Sequence, residues 1–152
     1  MRSDSLCRAS AAITVVFAIA LSGCGKPTLY PVSGTVKVDG KPASGVRVFV
    51  WRNGEANASA GTQIGMGFSG PDGKFSVSCG TSEEGLERGS YRVTLSRPMT
   101  KGKPMVAGEK PSGAVEVIPK PYSDHETPSN SPLLVSVPAS DDLVIEVPPG
   151  LK

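Results

Sequence analysis

From residue 32 onward, short runs alternate apolar and polar residues, each run closed by Gly, Pro or Asp. No segment after residue 24 repeats apolar residues at helical spacing. This pattern limits the fold more than any other feature of the chain. With a period of two, successive side chains point to opposite sides of a strand, giving each run one face for a core and one for water. Such runs bury their apolar faces only by stacking in sheets, so the expected class is all-β.

Seven strands are predicted. Val32, Gly34, Val36 and Val38 alternate with polar residues in the first, which ends at the turn Asp39-Gly40-Lys41-Pro42. Val46, Val48 and Val50 line one face of the second. Residues 52–61, rich in Asn, Gly and Ala, read as an exposed loop. Ile64, Met66 and Phe68 share a face of the third strand, and Gly70-Pro71-Asp72-Gly73 turns the chain. Phe75, Val77 and Cys79 share a face of the fourth, so Cys79 is expected inside as a small hydrophobe. Tyr91, Val93 and Leu95 define the fifth, Leu133, Val135 and Val137 the sixth, and residues 143–147 the seventh. Seven strands at this spacing predict an antiparallel, immunoglobulin-like sandwich of seven or eight strands.

The stretch 97–132 interrupts the rhythm. It holds seven of the fourteen prolines, and so long a connection without structure of its own is uncommon in a compact domain. Residues 114–118 supply a possible eighth strand at an edge, ended by Pro119.

The first 23 residues are of a different kind. Arg2 and Arg8 precede an apolar stretch, and Ser22 and Gly23 are small residues suited to a cleavage site. Residues 9–21 make a run of 13, short of the roughly 20 needed to span a bilayer. Leu21-Ser22-Gly23-Cys24 resembles the lipobox of bacterial lipoproteins. The resemblance implies cleavage before Cys24 and a diacylglycerol on its thiol. It divides the chain into a signal peptide at 1–23, a lipidated tether at 24–31 and a β-sandwich domain at 32–150. Two or more acyl chains hold a protein stably at a membrane. The implied location is the bacterial cell envelope, and Gly25 in place of Asp after the cysteine leans toward the outer membrane.

Cys7 leaves with such a leader and Cys24 takes lipid, so Cys79 remains without an intramolecular partner. The formal net charge of +2 offers no basic surface for nucleic acid, and no nucleic-acid partner is expected.

Three punctuation marks carry a further likeness. Val32-Ser33-Gly34-Thr35-Val36 with Asp39-Gly40-Lys41-Pro42-Ala43-Ser44-Gly45-Val46, then Asp72-Gly73-Lys74-Phe75, then Gly89-Ser90-Tyr91-Arg92-Val93, resemble successive elements of carboxypeptidase-regulatory-like domains. Pro119-Lys120-Pro121-Tyr122-Ser123-Asp124 and Ser131-Pro132-Leu133 are similar to the closing segment of small planctomycete lipoproteins that carry this transthyretin-like sandwich. The resemblance implies a fold and a location and assigns no activity.

The candidate residues for chemistry are few. His125, the only histidine, lies between Asp124 and Glu126 in a Pro-rich stretch that lacks the converging ligands zinc needs. Asp39 and Asp72 read as turn formers, since neither belongs to a calcium-loop run. No G-x-S-x-G element is present, and the histidines and C-terminal motif of transthyretin-like hydrolases are missing. Tyr91 is placed for a tyrosine-corner hydrogen bond. Phe49 and Trp51 face away from Val46, Val48 and Val50. They stack sugars if exposed, and they are a second packed layer if the 97–132 stretch folds over them. The expected protein is a non-enzymatic, membrane-anchored binding or structural module without cofactor or metal. Its partner is an envelope protein or a glycan. The alternatives are a carbohydrate-binding module built on Phe49 and Trp51, and an envelope hydrolase.

Overall fold

The computed structural model describes residues 28–53, 63–80, 83–105 and 113–148. The leader expected at 1–23 and Cys24 lie outside the described residues, as does most of the loop expected at 52–61. The strands are β1 (Ser33–Val38), β2 (Lys41–Pro42), β3 (Arg47–Arg52), β4 (Gln63–Phe68), β5 (Lys74–Cys79) and β6 (Glu83–Glu84). They continue with β7 (Gly89–Ser96), β8 (Pro98–Thr100), β9 (Lys103–Pro104), β10 (Val115–Glu116), β11 (Leu134–Val137) and β12 (Leu143–Val147). The protein is an all-β sandwich. All seven expected strands are present, and the edge strand expected at 114–118 is β10.

One curled sheet runs in the order β11-β7-β3-β4-β5-β1-β12, with β2 added to β1 and β6 to β5. Strand β5 forms the corner. Residues 74–76 pair with β1, while Val77 and Ser78 pair with β4. The curl brings the apolar faces of β3, β7 and β11 against those of β1, β5 and β12. Val36, Val48, Phe75, Val77, Tyr91, Val93, Val135 and Ile145 are all buried there, as alternation predicts. Asp39 and Gly40 both take positive φ, 54° and 70°, the arrangement a two-residue hairpin turn between β1 and β2 requires. Ser69 is buried and fully used: its hydroxyl donates to the Ala43 carbonyl at 2.7 Å and accepts the Val46 N–H at 2.9 Å.

Three expectations need correction. The sandwich is not wholly antiparallel, because β1 and β12 pair in parallel with Gly34 opposite Leu143. These first and last long strands have no short connection forcing them to run in opposite directions. Gly34 allows the contact, since a side chain there would strike the Leu143 carbonyl.

On β4, the face carrying Met66 and Phe68 is the outer one, and Met66 is 47 % exposed. Gly65 and Gly67 face the core instead, opposite Val50 and Val48. A Cβ on Gly67 would stand 2.7 Å from the Ser76 carbonyl oxygen, so the neighbouring backbone occupies that space. Ile64, at the register shift opposite Val50 and Trp51, packs partly against the core.

Cys79 is the third departure. It is half-buried, because β5 runs past the core at its last residue.

The 97–132 stretch adds a layer. Strands β8, β9 and β10 form a small antiparallel sheet in the order β10-β8-β9. Beyond it the chain runs along the edge of β7 that β11 leaves open. The Leu95 N–H donates to the Tyr122 carbonyl at 2.8 Å and the Val93 N–H to the Leu133 carbonyl at 3.0 Å. Ile118 and Pro128 are buried, and Tyr122 packs on the core from its side. This strap, residues 118–131, satisfies strand groups that would otherwise need water.

Candidate functional site

The strap lies over the outer face of β3 and β7. Their register aligns Arg47 with Ser96, Phe49 with Thr94 and Trp51 with Arg92, and alternation turns these pairs away from the valine face. Phe49 and Trp51 therefore sit on the outer side, as the sequence implies. They are not open to solvent, however. Trp51 is 9 % exposed and Phe49 is half-buried.

A hydrogen-bond chain ties the layers together. The Trp51 indole N–H donates to Thr94 Oγ1 at 2.8 Å, and Thr94 Oγ1 lies 2.7 Å from His125 Nδ1. A threonine hydroxyl has one hydrogen. Its oxygen accepts from Trp51, and among the described residues His125 is the only other partner of this buried side chain, so the hydrogen finds an acceptor only when it points to Nδ1, which puts the imidazole proton on Nε2. The His125 ring also meets Phe49 edge-on, with centroids 4.7 Å apart and planes inclined by 68°. Burial pushes the imidazole pKa down from its usual 6.5, against the opposing pull of Glu116 and Asp124.

The turn that presents His125 is built locally. Asp124 Oδ1 accepts the N–H groups of Glu126 and Thr127, each at 3.1 Å, an Asx-type turn. The Thr127 bond is the main reason the Asp124 carboxyl sits below its usual value. At either end of the strap, polar groups hold it to β7 and the adjoining chain. Glu116 accepts from the Ser96 hydroxyl at 2.7 Å and from the Arg97 N–H at 2.8 Å. Arg92 donates to the Ser131 carbonyl at 2.7 Å, and the Ser131 hydroxyl donates to the Val93 carbonyl.

The Asp124 carboxylate is thus spent on the turn, and the Glu126 side chain is exposed. Among the described residues, no group of three or more His, Cys, Asp or Glu side chains is placed to hold a metal ion. Asp72 closes its turn by accepting the Lys74 N–H at 3.1 Å. Tyr91 makes the corner bond, its hydroxyl donating to the Glu87 carbonyl at 2.7 Å, while burial raises its pKa.

Sequence reasoning missed Thr94. It lies between the core residues Val93 and Leu95 on the side assigned to water, yet it is fully buried because the strap covers it. Its one local signal is a β-branched residue on an outward position, which is too common to single it out. No protein-family model, no curated protein and no solved structure matches the chain.

Proposed function

We propose that this protein is an acyl-anchored lipoprotein of the bacterial envelope, whose β-sandwich serves as a non-enzymatic binding or structural module of the carboxypeptidase-regulatory-like type. The observation that carries the reading is Leu21-Ser22-Gly23-Cys24 at the end of a 13-residue apolar run, too short to span a bilayer. Among the described residues no helix is long and apolar enough to cross a membrane. The anchor in this reading is the lipid on Cys24.

Its geometry follows from chain length. Tyr30 bridges to Leu86 through bonds of 2.8 and 2.9 Å, only six residues after Cys24. Six residues reach about 20 Å at full extension, which would hold the sandwich against the bilayer surface. Non-enzymatic use fits the role of the sole histidine, whose Nδ1 is engaged by a buried threonine in a packed layer. A sugar platform on Phe49 and Trp51 needs open ring faces, and Trp51 at 9 % exposure does not offer one, so we do not adopt it.

The test is metabolic labelling with a tagged fatty acid. The wild-type chain should take up label and lose its leader, while Cys24→Ala should accumulate as an unlabelled precursor. A Cys24→Ala chain that is still labelled overturns the anchor assignment.

A further inference from the structure

We propose that His125 is a proton-sensitive latch: when neutral it pins the 118–131 strap over Phe49 and Trp51, and when protonated it loosens the strap around itself and opens that aromatic face to solvent.

The argument starts from the single hydrogen on Thr94. In the neutral state the Trp51 N–H, the Thr94 hydroxyl and His125 Nδ1 are all paired, with the Trp51 N–H donating to Thr94 and the Thr94 O–H donating to Nδ1. Protonation places a hydrogen on Nδ1 as well. The imidazolium must then donate to Thr94 Oγ1, which already accepts from Trp51. The Thr94 hydrogen is left without an acceptor, because its side chain has no third partner among the described residues and is closed to water. A buried donor without a partner costs free energy that a more open strap recovers by admitting water. Phe49 is a second, independent contact on the same ring, so a shifted imidazole also gives up its edge-on packing.

The surrounding charges do not cancel this effect. On the strap and β10, the groups bearing on the imidazole are the carboxylates of Asp124 and Glu116, and both favour the proton. Both are already committed, Asp124 to the N–H groups of its own turn and Glu116 to Ser96, Arg97 and Ile118. On β7 the nearest cation along the face is Arg92, which donates to Ser131 and Asn53. On β3 it is Arg47, two residues from Phe49. Burial outweighs the carboxylates, and the net pKa lies below 6.5. The sign follows: the open strap takes up a proton more readily than the closed one, so acidification favours opening. The closed state is fully favoured above about pH 6.5 and loses ground as pH falls toward the depressed value.

Trp51, the only tryptophan, reports the event directly. The experiment measures acrylamide quenching and emission maximum of the full chain in nonionic detergent between about pH 7.5 and pH 4.5, a range that brackets histidine titration. Acrylamide is neutral, so it ignores changes in protein charge. Wild type should show the quenching constant rising about two- to threefold with a red shift, at a midpoint below 6.5. His125→Gln, whose amide oxygen accepts from Thr94 without titrating, should keep the low value throughout. A pH-independent wild type, or an equal rise in His125→Gln, overturns the latch. Should His125→Gln fail to fold by circular dichroism, imidazole titration of the wild type by NMR decides. Coincident midpoints for the imidazole and for Trp51 access support the latch, and separated midpoints refute it.

Discussion

Replacing Trp51 by Ala tests whether the outer layer is structural. Trp51 is 9 % exposed, so nearly all of its surface is removed from water by Phe49's neighbours on β3 and β7 and by the strap. A buried tryptophan withdraws about 150–250 Å². At about 25 cal/mol per Å², loss of the part beyond Cβ amounts to roughly 3–5 kcal/mol, an upper figure because unfolded chains already bury some surface. Measured truncations of large aromatics in cores fall in the same range, about 3–5 kcal/mol. The change also strips Thr94 of the indole donor 2.8 Å away. Trp51→Phe separates the two contributions. It keeps most of the ring volume and removes the N–H, so it should cost about 1–2 kcal/mol. Urea unfolding followed by far-ultraviolet circular dichroism is the suitable assay, since both variants lose the fluorophore. A cost for Trp51→Ala within about 0.5 kcal/mol of zero, the usual range for exposed positions, would refute the packed layer and return the face to solvent.

Three further substitutions test the sandwich. Gly67→Ala should destabilise by about 1–3 kcal/mol in thermal or urea unfolding, because its Cβ would meet the Ser76 carbonyl oxygen at 2.7 Å, whereas Met66→Ala on the opposite face should lie within about 0.5 kcal/mol of wild type. A larger cost at Met66 than at Gly67 would mean that the faces of β4 are assigned the wrong way round. Tyr91→Phe deletes the 2.7 Å bond to Glu87 and should lower stability by about 1–2 kcal/mol, and a neutral result would show that the corner adds nothing.

Much of the sandwich is legible in the sequence. Alternation is a local property, and it alone assigned the inward faces of β1, β3, β5, β7, β11 and β12, because a period of two leaves a strand only two ways to face. Turn chemistry was equally local: Asp39-Gly40 and Gly73 stand where positive φ is needed, and Tyr91 reaches a carbonyl four residues away. Glycine carries no hydrophobic signal, so the pattern of β4 points to Ile64, Met66 and Phe68 while Gly65 and Gly67 take the core. Alternation also names no neighbours. The parallel pairing of β1 with β12 joins residues more than a hundred positions apart, and only the folded sheet decides it. The same limit hid the site. Trp51, Thr94 and His125 come from three separate stretches, and each has an ordinary reading within its own. Their meeting depends on where the proline-rich strap crosses β7, which is a property of the folded surface rather than of any run of residues.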